Sequence, residues 1–200
     1  MNLVDLDKLI NSELTSKILN TNISNDEILI NVEIDNLYST LLFLKTDEKC
    51  KFKQLIDIVA ADFPSSENRF KIYYLLLSHE QNLRAKILIT FNVENKIPSI
   101  TKLFPSANWM EREVFDMYGI KFKNHPDMRR ILTDYGFVGH PLRKDFPLTG
   151  HTEVRYSEDK KKVISEKVKL DQEYRNFDSE SPWEGTKYIV QEGEKNKIKD

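Results

Sequence analysis

The sequence predicts an α+β fold: a mixed or antiparallel sheet flanked by helices, followed by an extended, largely irregular C-terminal arm. Three observations point there. Apolar runs of helical period are interleaved with runs that alternate every second residue. Residues 70–91 read as a β-hairpin. All six glycines lie at or beyond Gly119, and Gly119, Gly136, Gly139 and Gly150 crowd one segment, so regular structure should give way to irregular backbone there. These cues divide the chain into an α+β domain (1–118), an extended Gly- and Arg-rich arm suited to binding a partner (119–156), and a polar tail (157–200).

Taken in order, Asp5 to Leu19 reads as an amphipathic helix, with Leu6, Leu9, Ile10 and Leu14 on one face. Glu27 to Glu33 alternates like a strand. Asp35 is placed to cap a second helix carrying Leu37, Leu41, Leu42 and Leu44. Residues 53–60 form another strand. Phe70–Leu77 and Ala85–Phe91 pair through His79-Glu80-Gln81-Asn82. Phe70, Ile72, Tyr74 and Leu76 point one way, and Tyr73, Leu75 and Leu77 the other. A strand apolar on both faces is expected to be central and covered on both sides. The tail from 151 to 200 has 13 hydrophobic residues in 50 against 23 charged ones, too few for a core of its own.

The stretch ANWMEREVFDMYG, residues 107–119, is a third helix. Asn108 with Glu111 fits a capping box, Ser106 is a competing N-cap, and Gly119 supplies the stop. At about 100° per residue, Trp109, Arg112, Glu113 and Asp116 share one sector, while Met110, Val114, Phe115, Met117 and Tyr118 occupy the other. Glu111 falls inside the apolar sector. On one reading it reaches back to the helix start while Arg112 and Asp116 form an i, i+4 pair. On the other it is desolvated and needs a cation from elsewhere, with Arg129 and Arg130 as candidates. Arginine usage favours the second reading. The chain has 30 basic residues of which only eight are arginine, yet Arg112, Arg129, Arg130 and Arg143 all lie between 112 and 143. The planar guanidinium suits partly buried, bidentate pairing. An ion-pair network across 111–145 at a packed interface follows.

Composition excludes several classes. A net charge of −2 gives no electrostatic case for nucleic acid or an anionic membrane surface. One cysteine, Cys50, rules out an internal disulfide and a cluster ligated by this chain alone. The acidic start MNLVDLDKLI carries neither an export signal nor a transit peptide, and the longest apolar run, Ile72–Leu77, is far short of the roughly 20 residues of a membrane helix. A soluble chain in a reducing compartment is expected, with any membrane association indirect. There is no phosphate-binding glycine loop, no paired-histidine metal motif among His79, His125, His140 and His151, and no organised nucleophile. A hydrolase built on Glu111 with Glu113 or Asp116 would need neighbours on one short helix to converge on a substrate, which they rarely do.

Glu111-Arg112-Glu113-x-x-Asp116-Met117-Tyr118, six further residues, then His125-x-x-x-Arg129-x-Ile131-Leu132, resembles the signature of the 30 kDa (C-type) subunit family of proton-translocating NADH:quinone oxidoreductase, respiratory complex I. The likeness continues through Gly139-His140-Pro141-Leu142-Arg143-Lys144-Asp145-Phe146-Pro147-Leu148. It is weaker at Asp62, Arg69-Phe70, Tyr73-Tyr74 and Ser181-Pro182-Trp183-Glu184. The two central blocks cover about a fifth of the chain and are highly specific.

The resemblance implies a non-catalytic scaffold: an α+β domain with an extended arm lying against the quinone-site subunit, with the subunit that bears an iron–sulfur cluster as a second neighbour. It would sit peripherally on the cytoplasmic side of a bacterial inner membrane, touching the membrane only through its partners. FMN, iron–sulfur clusters and quinone would be held by other subunits, with no cofactor, metal or catalytic residue on this chain. Glu111, Arg112, Glu113, Asp116, His125, Arg129, Arg130, His140, Arg143, Lys144 and Asp145 are the expected partner interface. An equivalent subunit of a membrane-bound hydrogenase-type complex is the alternative that the motif spacing leaves open.

Overall fold

Asn2 starts the first helix. Its side-chain oxygen accepts the Asp5 amide at 2.8 Å while Asp5 reaches back to the Asn2 amide, a reciprocal cap. Helix α1 therefore spans Leu3–Glu13 and buries Leu6 and Ile10, with Leu14 just beyond its end. The helix expected to run to Leu19 stops sooner because Ile18–Ser24 is a strand, β1. Asn20, Thr21 and Asn22 are weak helix formers. The next two residues, Asn25 and Asp26, take left-handed backbone (φ 52° and 59°), the turn that folds β1 tightly onto β2, Glu27–Val32.

The computed structural model describes residues 1–92, 94–170 and 172. A 3-10 turn at Ile34–Asn36 leads into α2, Leu37–Thr46, so Asp35 lies inside this turn and not at an N-cap. Helix α2 buries Leu37, Leu41 and Leu44, while Leu42 faces out. Strands β3 (Gln54–Asp62), β4 (Phe70–Ser78) and β5 (Leu83–Phe91) complete a five-stranded sheet of order β1-β2-β5-β4-β3. Every pair is antiparallel except β2–β5, which makes the sheet mixed.

One face of this sheet is the core. Ile28, Ile30, Ile58, Ala60, Ile72, Tyr74, Ile87 and Ile89 are buried in a single cluster with the apolar faces of all three helices. Strand β4 is an inner strand, as expected, paired with β3 and β5, but it is not fully covered on both sides. It stands beside the edge strand, and Lys71, Tyr73, Leu75 and Leu77 are only half-buried. Their cross-strand neighbours, Leu88 for Tyr73 and Lys86 for Leu75, shelter them in place of a second layer of helices.

Helix α3, Ala107–Tyr118, packs against β3. Two short strands, β6 (Ile97–Pro98) and β7 (Phe122–Lys123), pair in parallel and bracket it. Neither expected N-cap operates: Ser106 makes no side-chain cap bond, and Glu111 does not reach the helix start. Gly119 ends the helix as expected, at φ +79°, its amide bonding the Phe115 carbonyl at 2.8 Å.

From Gly119 to Gly150 the backbone is irregular apart from β7, and this segment belongs to the same compact unit as the sheet, Met1–Gly150. A second unit begins at His151. Its described part is a hairpin of β8 (Thr152–Ser157) and β9 (Lys162–Lys167), with Arg155 and Glu166 paired across it; the sequence pattern placed no strands there. Ser181-Pro182-Trp183-Glu184 and most of the polar tail lie outside the described residues.

Candidate functional site

The polar sector of α3 is the surface onto which the chain folds back after Gly119. Asp116, on that sector, is fully buried. Its Oδ2 accepts the amides of Ile131 (3.0 Å), Leu132 (2.7 Å) and Thr133 (3.0 Å). Its Oδ1 accepts Arg130 Nε at 2.6 Å and the Thr133 hydroxyl at 2.8 Å. Burial alone would raise this carboxyl's pKa. The Leu132 and Thr133 amides, the Thr133 hydroxyl and the Ile131 amide outweigh burial and hold it well below the usual carboxylate range. A carboxylate with five donors has no lone pair directed at a substrate or a proton, so Asp116 is a clamp and not a base.

Arg130 is the other half of the clamp. Besides Asp116 it donates to the carbonyls of Phe137 and Gly139, and its guanidinium lies 5.4 Å from the centre of the Phe137 ring. One side chain thus ties α3 to both limbs of the loop at 130–139. His140 completes it. Nδ1–H donates to the Asp116 carbonyl at 2.9 Å, and its ring packs so tightly on Gly119 that a Cβ there would fall 2.7 Å from it. Leu142 N bonds the Met117 carbonyl, and Arg112 donates to the carbonyls of Arg129 and Arg130. The Arg112–Asp116 pair of the first reading does not form, because each residue holds arm backbone.

A second network fixes the following stretch. Asp62, at the end of β3, accepts Arg69 Nε and Nη2 at 2.6 and 2.8 Å and the Lys144 amide at 2.8 Å. Arg69 also reaches Asp145 at 2.9 Å, and Asp145 pairs with Arg143. Hydrogen bonding to Arg69 leads the effects that lower the Asp62 pKa. Asp62 and Arg69 are not among the site residues expected from sequence. The available signal was parity: Asp62 continues the core-facing series Ile58 and Ala60, where an unpaired carboxylate is not tolerated.

Glu111 is buried, as its place on the helix implied, but its neighbour is neither Arg129 nor Arg130. Arg129 is 80% exposed and pairs with Asp127. Glu111 Oε1 accepts the Ile100 amide at 2.8 Å, and Oε2 lies 3.8 Å from His125 Nε2. Desolvation pushes its pKa up to about 7, against the pull of the Ile100 amide and the Ser99 hydroxyl. Glu113 and Lys144 are exposed. Of the expected site residues, the structure thus gathers Arg112, Asp116, Arg130 and His140 in one clamp and Arg143, Lys144 and Asp145 in a second. Glu111 and His125 form a separate buried pair, and Glu113 stands apart.

The side chains facing solvent are of another kind. Leu132, Val138, Leu142 and Leu148 are exposed and Tyr135 is fully so, all on the loops that the clamps hold. Beside them an open depression of about 640 Å³ is lined by Phe115, Met128, Ile131, Leu132 and Tyr135.

Comparison with known proteins gives consistent results. The family model for the 30 Kd subunit of respiratory-chain NADH dehydrogenase matches residues 30–152. The chain is 48% identical over 195 residues to the NADH-quinone oxidoreductase C subunit of Mesorhizobium japonicum, covering 98% of this chain and 97% of that one. It is 53% identical over 178 residues to the corresponding protein of Dinoroseobacter shibae, covering 89% and 83%. Among solved structures it resembles a trypsin-resistant fragment of Nqo5 (TM-score 0.53, 23% identity, 61% of this chain and 98% of that one). It also resembles a chain of an archaeal membrane-bound sulfane sulfur reductase (TM-score 0.61, 22% identity, 80% and 99%). At these identities the two structures speak to the fold.

Proposed function

The chain belongs to the family of the respiratory-chain NADH dehydrogenase 30 Kd subunit, and from that premise we propose that it is a non-catalytic scaffold of an NADH:quinone oxidoreductase, holding the quinone-site and cluster-bearing subunits in register. The observation that carries this reading is the Asp116 clamp. Every Asp116 lone pair with a partner is directed at the chain's own arm, and what the arm then presents is Leu132, Tyr135, Val138 and Leu148. The charged residues act from beneath, fixing the backbone, and the apolar side chains make the contact. On this reading FMN, the clusters and quinone are held by other subunits, and the chain contributes to electron transfer only through geometry.

Among the described residues no helix is long and apolar enough to cross a membrane. A peripheral position on the cytoplasmic side of a bacterial inner membrane, reached through partner subunits, fits that. Relatives near 50% identity over most of the chain are NADH-quinone oxidoreductase subunits, which supports this reading over the hydrogenase-type alternative.

The test is co-purification. Membranes solubilised gently and captured through this chain should yield NADH:quinone activity with bound flavin and clusters. A double variant, Tyr135→Asp with Val138→Asp, should lose that activity from the captured fraction while the chain itself melts as the wild type does. Recovery of the wild-type chain alone, colourless and inactive, from intact complexes would overturn the proposal.

A further inference from the structure

The Glu111–His125 pair is not used by either clamp. Both side chains are fully buried, and Glu111 Oε2 has no hydrogen-bond partner. His125 is fixed at both nitrogens. Nδ1 accepts the Asp127 amide at 3.0 Å, and because a backbone amide can only donate, Nδ1 carries no proton. The remaining proton is on Nε2, where it points to the Asn108 carbonyl at 3.1 Å. The same Nε2 is 3.8 Å from the open Glu111 oxygen.

Among the described residues, the imidazole is the basic side chain that pairs with the open Glu111 oxygen, at 3.8 Å. From β4 the Tyr74 hydroxyl, itself buried and unpartnered, faces the Glu111 region and is raised in pKa by its burial and by the carboxyl's charge. From the segment before α3 come the Ile100 amide and the Ser99 hydroxyl. On α3 itself Arg112 and Asp116 are committed to the arm. Among the described residues no lysine or arginine makes an ion pair with Glu111.

We propose that His125 is a swivel that reads the charge of Glu111, its Nε2–H donating to the Asn108 carbonyl while the carboxyl is neutral and turning to Glu111 Oε2 when it ionises. Closing 3.8 Å to hydrogen-bonding distance moves the ring edge by about 1 Å. Nδ1 carries the Asp127 amide with it, and Asp127 holds the amide and guanidinium of Arg129. The displacement therefore enters the arm at its root, residues 125–129. Burial sets the carboxyl to change charge at about pH 7, within the range a cell experiences.

The experiment is nuclear magnetic resonance of the full chain between pH 5 and 9. The His125 Nε2–H proton, the Asp127 amide and the Glu111 carboxyl carbon should move together with one midpoint near 7. In Glu111→Gln the first two should not move. A carboxyl midpoint near 4.5, a carboxyl that titrates while His125 and Asp127 stay still, or a midpoint that survives in Glu111→Gln would each overturn the proposal. Should that variant not fold, coincidence or disagreement of the three wild-type midpoints decides.

Discussion

Arg130 and Arg129 are adjacent in sequence and opposite in consequence. Arg130 sits between a fully buried carboxylate and two arm carbonyls, so its removal strands the Asp116 charge and frees both limbs of the 130–139 loop. Breaking a buried pair from one side typically costs about 3–5 kcal/mol, because the remaining charge is uncompensated. The three amides on Oδ2 persist, which places the loss near the lower figure. Arg129 is largely in water, and among the described residues its ion-pair partner is Asp127 two residues away, an arrangement that solvent screens. Arg130→Ala should therefore lower the melting temperature clearly and Arg129→Ala hardly at all. Equal shifts in a thermal melt of the two variants would show that the Asp116 site is not the anchor described.

At the level of the element, the arm depends on where it can turn. Gly139 has φ +102°, and a Cβ there would fall 2.6 Å from the Phe146 ring. Gly136 has φ +78° with nothing near. An alanine meets backbone strain at both positions but a collision only at the first. Gly139→Ala should destabilise by about 2–4 kcal/mol and Gly136→Ala by about 1 kcal/mol, measured by denaturant unfolding. The reverse order would place the arm's rigid corner elsewhere. These glycines, and the arginines between Gly119 and Gly150, were visible in the sequence. So were β2, β3, β4 and β5, since alternation survives in any strand with one buried face. The end of α1 was not, because Leu14 lies in register with Leu6 and Ile10 although the helix has already stopped; Asn25-Asp26 was the overlooked turn signal. The helical wheel put Asp116 on the polar sector of α3 correctly. What periodicity cannot say is whether a polar face meets water or a later stretch of chain, and here residues 130–140 cover it. That is why the charged positions of α3 and the arm were legible while their pairings, and the part played by Asp62 and Arg69, were not.

The molecule as a whole combines carboxyls that respond to pH in opposite senses. Asp116 and Asp62 are held below their ordinary pKa of 3.8, so their contribution to stability is complete above that value and is lost as pH falls through their lower folded values. Glu111 is raised from 4.5 to about 7, so the folded chain keeps a proton that the unfolded chain has already released. Its contribution is fully present below pH 4.5, declines as pH rises from 4.5 to about 7, and is absent above. The two senses meet on the acid side of neutrality. The full chain should melt at a higher temperature at pH 5 than at pH 7.5, and Glu111→Gln, which cannot ionise, should abolish that difference. Acidification below pH 3.8 should destabilise both proteins alike, because the Asp116 and Asp62 anchors are common to them. A wild-type melting temperature that rises between pH 5 and 7.5, or a Glu111→Gln variant that keeps the wild-type slope, would mean that Glu111 is ionised inside the fold. A compensating cation would then have to be found within reach of Oε2, where, among the described residues, the basic side chain in place is His125.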